Sequence, residues 1–189
     1  MPNYKRLFLQ NHYVFLTIVT NNRQPLLIDN IELLRESFKR AKQTYNFEIF
    51  ASVILPDHIH LILLPKNINE YPKIIFAIKY HFSRNIKNNG NGGLGNPPYR
   101  GLTKSKLKKK EKGIWQRRFY EHTIRDEKDL YAHLDYVHYN PLKHGYIKNV
   151  KDWEFSSFHK FVKQNLYEKE WGSQSNINEF KYLNVVEFD

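Results

Sequence analysis

Two histidines flank one isoleucine at His58-Ile59-His60. The stretch HIHLILL, residues 58–64, is otherwise apolar and reads as a strand. Strand side chains alternate, so both imidazoles point to one face and Ile59 to the other. Such a pair can share one metal ion; imidazole suits Zn, Mn and Ni, and Mg less well. Two histidines on an exposed sheet face give the same pattern. Further along, His133, Tyr136 and Asn140 stand at i, i+3 and i+7 and share one helix face. Leu130, Leu134 and Val137 mark the apolar stripe of that helix. An amide oxygen can complete a two-His metal site. A phenol one turn earlier would then lie beside whatever the metal polarises. Taken singly, Tyr136 is also a half-buried aromatic and Asn140 a helix end.

Other chemistries find little support. The chain has no Cys, which excludes disulfides, thiolate metal sites and a Cys nucleophile. No nucleophile-elbow serine motif appears, and the glycines at residues 90–95 are not followed by Gly-Lys-Ser/Thr. That stretch reads as linker. The run Lys108-Lys109-Lys110 is either a phosphate-tracking patch or a solvated segment.

Charge narrows the partner class. Lys and Arg number 30 against 19 Asp and Glu, a net charge of +11. A field of that sign attracts polyanions, with nucleic acid first and an anionic membrane surface second. A small-molecule metal-dependent hydrolase fits the histidines but not the charge. The 189 residues, 41% of them hydrophobic, suit one domain with decoration. No apolar run approaches membrane-span length and the start lacks an apolar signal core, so the expectation is a cytoplasmic protein.

The elements that must position these residues follow from periodicity. Residues 13–20 (YVFLTIVT) read as a first strand, residues 31–44 as a helix capped by Asp29 or Asn30, and residues 47–55 as a second strand. Pro56-Asp57 is a turn, so the second and third strands should form an antiparallel hairpin. A helix over residues 69–86 repeats Ile74, Ile78, Phe82 and Ile86 every fourth position. Residues 88–112 read as a flexible basic insertion. A fourth strand is expected at 118–124, then a helix capped by Asp126 and ending at Asn140, before Pro141. The order β-α-β-β-α-β-α is α+β, a ferredoxin-like split βαβ arrangement with an antiparallel sheet and helices on one face. A C-terminal helical appendage, residues 146–189, follows a catalytic unit of residues 1–145 and belongs to the same domain. Residues 153–162 could form a short helix.

The segment VILPDHIHLILLP, residues 53–65, resembles the His-hydrophobe-His motif of HUH nucleases. Residues 114–146, IWQRRFYEHTIRDEKDLYAHLDYVHYNPLKHGY, resemble the second half of REP-associated tyrosine transposases. These are relatives of the single-tyrosine transposases of small insertion sequences. Tyr4-Lys5-Arg6, VFLTIVTNNRQPLL from Val14 and WEFSSFHKF from Trp153 fit as well. The resemblance implies that His58 and His60 are paired metal ligands and Asn140 the third. Asn followed by Pro is typical of the repeat-associated branch, where the insertion-sequence branch has Gln. Tyr136 matches the nucleophile. Tyr139 competes, but it lies roughly 100° around the helix, away from Asn140.

The implied activity is metal-dependent nicking and joining of single-stranded DNA through a 5′-phosphotyrosine, at hairpin-forming repeats, with one Mg²⁺ or Mn²⁺. His133 and Lys143 are candidates for making Tyr136 reactive. Lys79, Arg84, Arg117 and Arg118 could hold phosphates, and Tyr4, Lys5 and Arg6 could reach bases at a hairpin foot. No membrane and no protein partner are implied, and the repeat-associated branch points to a monomer rather than a dimer. The insertion at 88–112 is longer than the family pattern. The alternative is a non-catalytic basic RNA- or single-stranded-DNA-binding domain of ferredoxin-like fold.

Overall fold

β1 (Val14–Val19) presents different partners to the two sides of its sheet. Val14, Leu16 and Ile18 join one core and Phe15 another, as a period of two requires of a strand covered on both faces. After it come α1 (Ile31–Thr44), β2 (Phe47–Ile54), β3 (His58–Pro65), α2 (Tyr71–Asn85), β4 (Tyr120–Thr123) and α3 (Glu127–Lys143). The computed structural model describes residues 8–86 and 113–173. Tyr4-Lys5-Arg6, the 88–112 insertion and the last residues of the chain lie outside the described residues.

The strand order is β2-β3-β1-β4, with every pairing antiparallel. β3 therefore sits between β1 and β2, which is the expected split arrangement. α1 and α2 share one face. Leu34 and Ala41 of α1 and Ile74, Ile78 and Phe82 of α2 pack on Leu16, Ile18, Ile59 and Leu61.

The expectation of helices on one face holds for these two only. α3 lies on the opposite face, where Leu134, Tyr136 and Val137 pack on Phe15, Ala51, Val53 and Ile62. Those four sheet residues are at most 1% exposed. Burying a Phe, Val or Ile gains about 1.5–3 kcal/mol each, so that face needs a cover.

α3 begins as expected: Asp126 Oδ1 accepts the Asp129 N–H at 2.8 Å. Its end differs. The helix runs on to Lys143 with Pro141 inside it. Pro141 costs the turn one donor, but later bonds hold it closed. His144 N–H donates to Asn140 O (3.0 Å), Tyr146 N–H to Pro141 O (3.0 Å) and Gly145 N–H to Leu142 O (2.9 Å). Gly145, at φ +73°, supplies the left-handed cap.

The chain then returns along the outer edge of β2. Ile54 N–H donates to Phe155 O (2.9 Å), Ser157 N–H to Ser52 O (2.8 Å), and Trp153 Nε1–H to Ile54 O (3.0 Å). These bonds occupy backbone groups that an edge strand would otherwise expose. The helix expected over 153–162 forms only in its second half, as α4 (Phe158–Lys163). Its first half is committed to the sheet.

Candidate active site

The β2–β3 turn places Asp57 directly before His58. His58 Nδ1–H donates to Asp57 Oδ1 at 2.6 Å. This fixes the ring and the tautomer, and turns Nε2 inward as a lone-pair donor. That Nε2 is buried with no hydrogen-bond partner among the described residues. Asp57 also pairs with Arg23 Nη1 at 3.5 Å. Burial pushes the Asp57 carboxyl up, but the hydrogen bond from His58 and the Arg23 guanidinium together hold it below the ordinary range.

His60 follows on the same face. Its partner across the β1–β3 ladder is Thr17, whose Oγ1 is hydrogen-bonded to His60 Nδ1 at 2.9 Å. The His58 and His60 rings stand 4.9 Å apart. His60 is fully buried; burial first, then electrostatic influence from His58, His144, Lys143 and Arg23, pushes its pKa well below 6.5. A neutral imidazole is what a metal ligand must be.

α3 supplies the rest. The Tyr136 ring lies 5.1 Å from that of His60, edge to face. One turn later, Asn140 is fully buried, and neither Oδ1 nor Nδ2 of its amide has a hydrogen-bond partner among the described residues. One further turn on, the His144 ring lies 5.1 Å from His58. Asn140 is thus bracketed on its helix by residues that touch His60 and His58. A buried amide with unmet capacity costs about 1–3 kcal/mol unless something binds it. Two imidazoles with Nδ1 already engaged, plus that amide, suit one divalent ion.

Two further expectations concern the tyrosines and their neighbours. Lys143 Nζ lies 5.0 Å from the Tyr136 ring centroid. Tyr139 is turned into a different cluster, with Leu142, Val150 and Phe158, and burial pushes its phenol pKa up. His133 is engaged elsewhere. Its Nδ1 lies 2.8 Å from Asp129 O and 3.0 Å from Asp129 Oδ1.

His122, Asp129 and His133 form a second histidine–carboxylate group, with ligand-type atoms within 4.8 Å of one another. Its polar atoms already satisfy each other. Asp129 Oδ2 accepts from His122 Nε2 (2.8 Å), Arg125 N–H (2.9 Å) and Arg125 Nε (3.2 Å), while His133 takes Oδ1. Burial pushes the Asp129 carboxyl up, but these donors bring it down to about 2. The group fastens the start of α3 to β4.

The structure brings His58, His60, Tyr136 and Asn140 together. It places Lys79 and Arg84 on α2, over the opposite face of the sheet. Lys79 Nζ donates to Gln116 O (2.5 Å) and Arg117 O (3.3 Å), and Arg84 Nη1 to Tyr80 Oη (2.9 Å). Arg117 and Arg118 are exposed on the segment entering β4. Asp57, Thr17, Arg23 and His144 were not expected at the site. Asp57 had a signal, being next to His58; Thr17 had none short of the strand register.

The binding-domain alternative needs an open sheet face on which bases can stack. Here α3 covers the central strands, with Phe15, His60 and Ile62 at most 1% exposed. No helix among the described residues is long and apolar enough to cross a membrane.

Comparison with known proteins agrees with this geometry. The sequence profile of the family described as transposase IS200 like matches residues 8–140. A Haemophilus influenzae protein named for the REP-associated tyrosine transposases is 44% identical over 179 residues, covering 94% of this chain and 97% of its own. The REP-associated tyrosine transposase of Escherichia coli K12 is 35% identical over 173 residues, covering 90% and 91%. A solved structure of a REP-associated tyrosine transposase bound to a REP hairpin superposes with a TM-score of 0.72 at 35% identity, covering 90% of this chain and 91% of that one. The buried histidine pair, the tyrosine beside it and these relatives agree: the chain is a transposase of the IS200-like family, in its REP-associated tyrosine branch.

Proposed function

We propose that the protein nicks and rejoins single-stranded DNA beside hairpin-forming repeats, with Tyr136 as nucleophile. The observation that carries this is the Tyr136 ring 5.1 Å from His60, on the same helix face as buried Asn140, while Tyr139 is turned away. His58, His60 and Asn140 would hold a divalent cation, Mg²⁺ or Mn²⁺. Such an ion, when bound, supplies Lewis-acid charge neutralisation at phosphate oxygens.

The chain's own residues do the rest. The Tyr136 oxygen bonds to phosphorus and the bond from phosphorus to the 3′ oxygen breaks. The phenol loses one proton and the leaving 3′ oxygen gains one, so a 5′-phosphotyrosine and a free 3′-OH result. A free phenol titrates near 10, and the Lys143 ammonium beside the ring favours the developing phenolate. No water attacks, so a second 3′-OH can reverse the step and join new ends. The hairpin preference rests on the relative solved with a REP hairpin and on the net charge of +11.

The test is a denaturing gel with labelled hairpin oligonucleotides from repeats flanking the gene, in Mn²⁺, Mg²⁺ or EDTA. The expected result is a metal-dependent covalent adduct, lost in Tyr136→Phe and kept in Tyr139→Phe, with hairpin binding intact in both. An adduct that survives Tyr136→Phe overturns the assignment.

A further inference from the structure

The turn Asn21–Arg23, between β1 and α1, has no role in the reaction as described so far. Its backbone is unusual. Asn22 and Arg23 stand in succession at φ +56° and +50°, a region in which a bulky side chain is an outlier. Such conformations persist where the surroundings over-determine them, and they cluster at functional sites. The surroundings here are the active-site turn itself. Thr20 N–H donates to Asp57 O (2.8 Å) and Leu27 N–H to Pro56 O (2.9 Å), while Asn21 N–H donates to Ile114 O (2.8 Å). Thr20 Oγ1–H closes the turn on Gln24 O at 2.8 Å.

The turn delivers one side chain to the edge of the buried histidine pair. Arg23 Nη1 lies 3.5 Å from Asp57 Oδ2, the carboxylate that orients His58, and the Arg23 side chain is 42% exposed. Its charge also reaches buried His60. An arginine needed only to hold Asp57 would not require a strained backbone or a half-open position. A guanidinium has five donors in a fork that matches phosphate. It can keep its ion pair and grip an anion at once.

We propose that Arg23 is a substrate-binding residue, whose guanidinium holds a non-bridging oxygen of a DNA backbone phosphate next to the one that Tyr136 attacks. This rests on the tyrosine-transfer reading above. The strained turn fixes where the fork points, so Arg23 sets which phosphodiester enters the site.

The test separates the two readings by working in Tyr136→Phe protein, where no adduct forms. Binding of single-stranded hairpin oligonucleotides is followed by fluorescence anisotropy in Mn²⁺, with one phosphate at a time replaced by a neutral methylphosphonate. One position near the cleavage point should weaken binding about 10-fold, the worth of one charge-assisted hydrogen bond. The same substitution should have no effect once Arg23→Gln is added, and the salt slope should fall by about 0.7. Arg23→Asn repeats the test with a residue that tolerates the left-handed backbone. Mn²⁺ affinity without DNA should not fall in either variant, because losing a cation beside the histidine pair does not by itself weaken a metal site. Undiminished methylphosphonate sensitivity in the Arg23 variants overturns the proposal. So does a fall in Mn²⁺ affinity as large as that of Asp57→Ala, which would make Arg23 a support for His58. Failure of the unsubstituted protein to form an adduct sinks the nucleophile reading alone, since the phosphate scan is read from binding.

Discussion

Asp57→Ala isolates what a single carboxylate does for the histidine pair. Asp57 accepts the His58 Nδ1–H at 2.6 Å, and the His58 side chain is only 2% exposed. Without the carboxylate, that N–H has no acceptor at hand and the ring can turn or change tautomer. A buried hydrogen bond to a charged group is worth about 1.5–3 kcal/mol. Loss of an outer partner of a metal-binding histidine costs about 10- to 100-fold in metal affinity, or ~1.4–2.8 kcal/mol. The two routes agree. Mn²⁺ titration at neutral pH, by calorimetry or electron paramagnetic resonance, should therefore show a loss in that range. Asp57→Asn keeps an oxygen acceptor without the charge and should fall between. Thermal melts in EDTA check that both variants fold. Folded Asp57→Ala that binds Mn²⁺ as tightly as the unsubstituted protein would refute the assignment of His58 as a ligand oriented by Asp57.

Asp129, held near 2 against an ordinary 3.8, adds stability that is present above the ordinary value and lost as pH falls through about 2. Its partner Arg125 is 71% exposed, so solvent screening discounts the effect. Asp129→Asn should cost about 1–2 kcal/mol in urea unfolding at pH 7 and close to nothing near pH 2; an equal cost at both would deny the role of charge. Gly172→Ala should lower unfolding free energy by about 1–3 kcal/mol, read from tryptophan fluorescence in urea. The added Cβ would stand 2.4 Å from Val150 Cγ2, at a backbone φ of +70°. An unchanged midpoint would mean that the 171–173 segment does not dock on Val150.

Periodicity made the two halves of the site legible separately. A strand's alternation sends His58 and His60 to one side, and a helix's repeat lines up Tyr136 with Asn140. That Tyr136 and Tyr139 face different clusters was legible too: Tyr139 stands about 100° around the helix from Asn140 and Tyr136 only about 40°. What joins the halves was not. That α3 crosses the second face depends on Phe15, Ala51, Val53 and Ile62, which lie on three different strands. Thr17 meets His60 across 43 residues of chain, and only the ladder register pairs them. Pro141 misled because a local rule about helix ends ignores bonds made by residues after it. Lys79 and Arg84 are expected from their charge to hold phosphates, but charge names no face, and the packing of α2 sets theirs.

Tyr136 and the Asn140 amide sit four residues apart on one helix, while both histidines belong to the sheet. Four residues make slightly more than one helical turn. Adding or deleting a single residue between Tyr136 and Asn140 swings one of them by about 100° and removes it from the histidine pair. An added residue in the turn between Arg125 and Asp126 leaves their mutual alignment untouched, because it moves both together. In this chain an insertion in a connection would therefore spare the alignment, and one across that turn would destroy it. Within it, the chain keeps count by helical phase, and the active site is the record of that count.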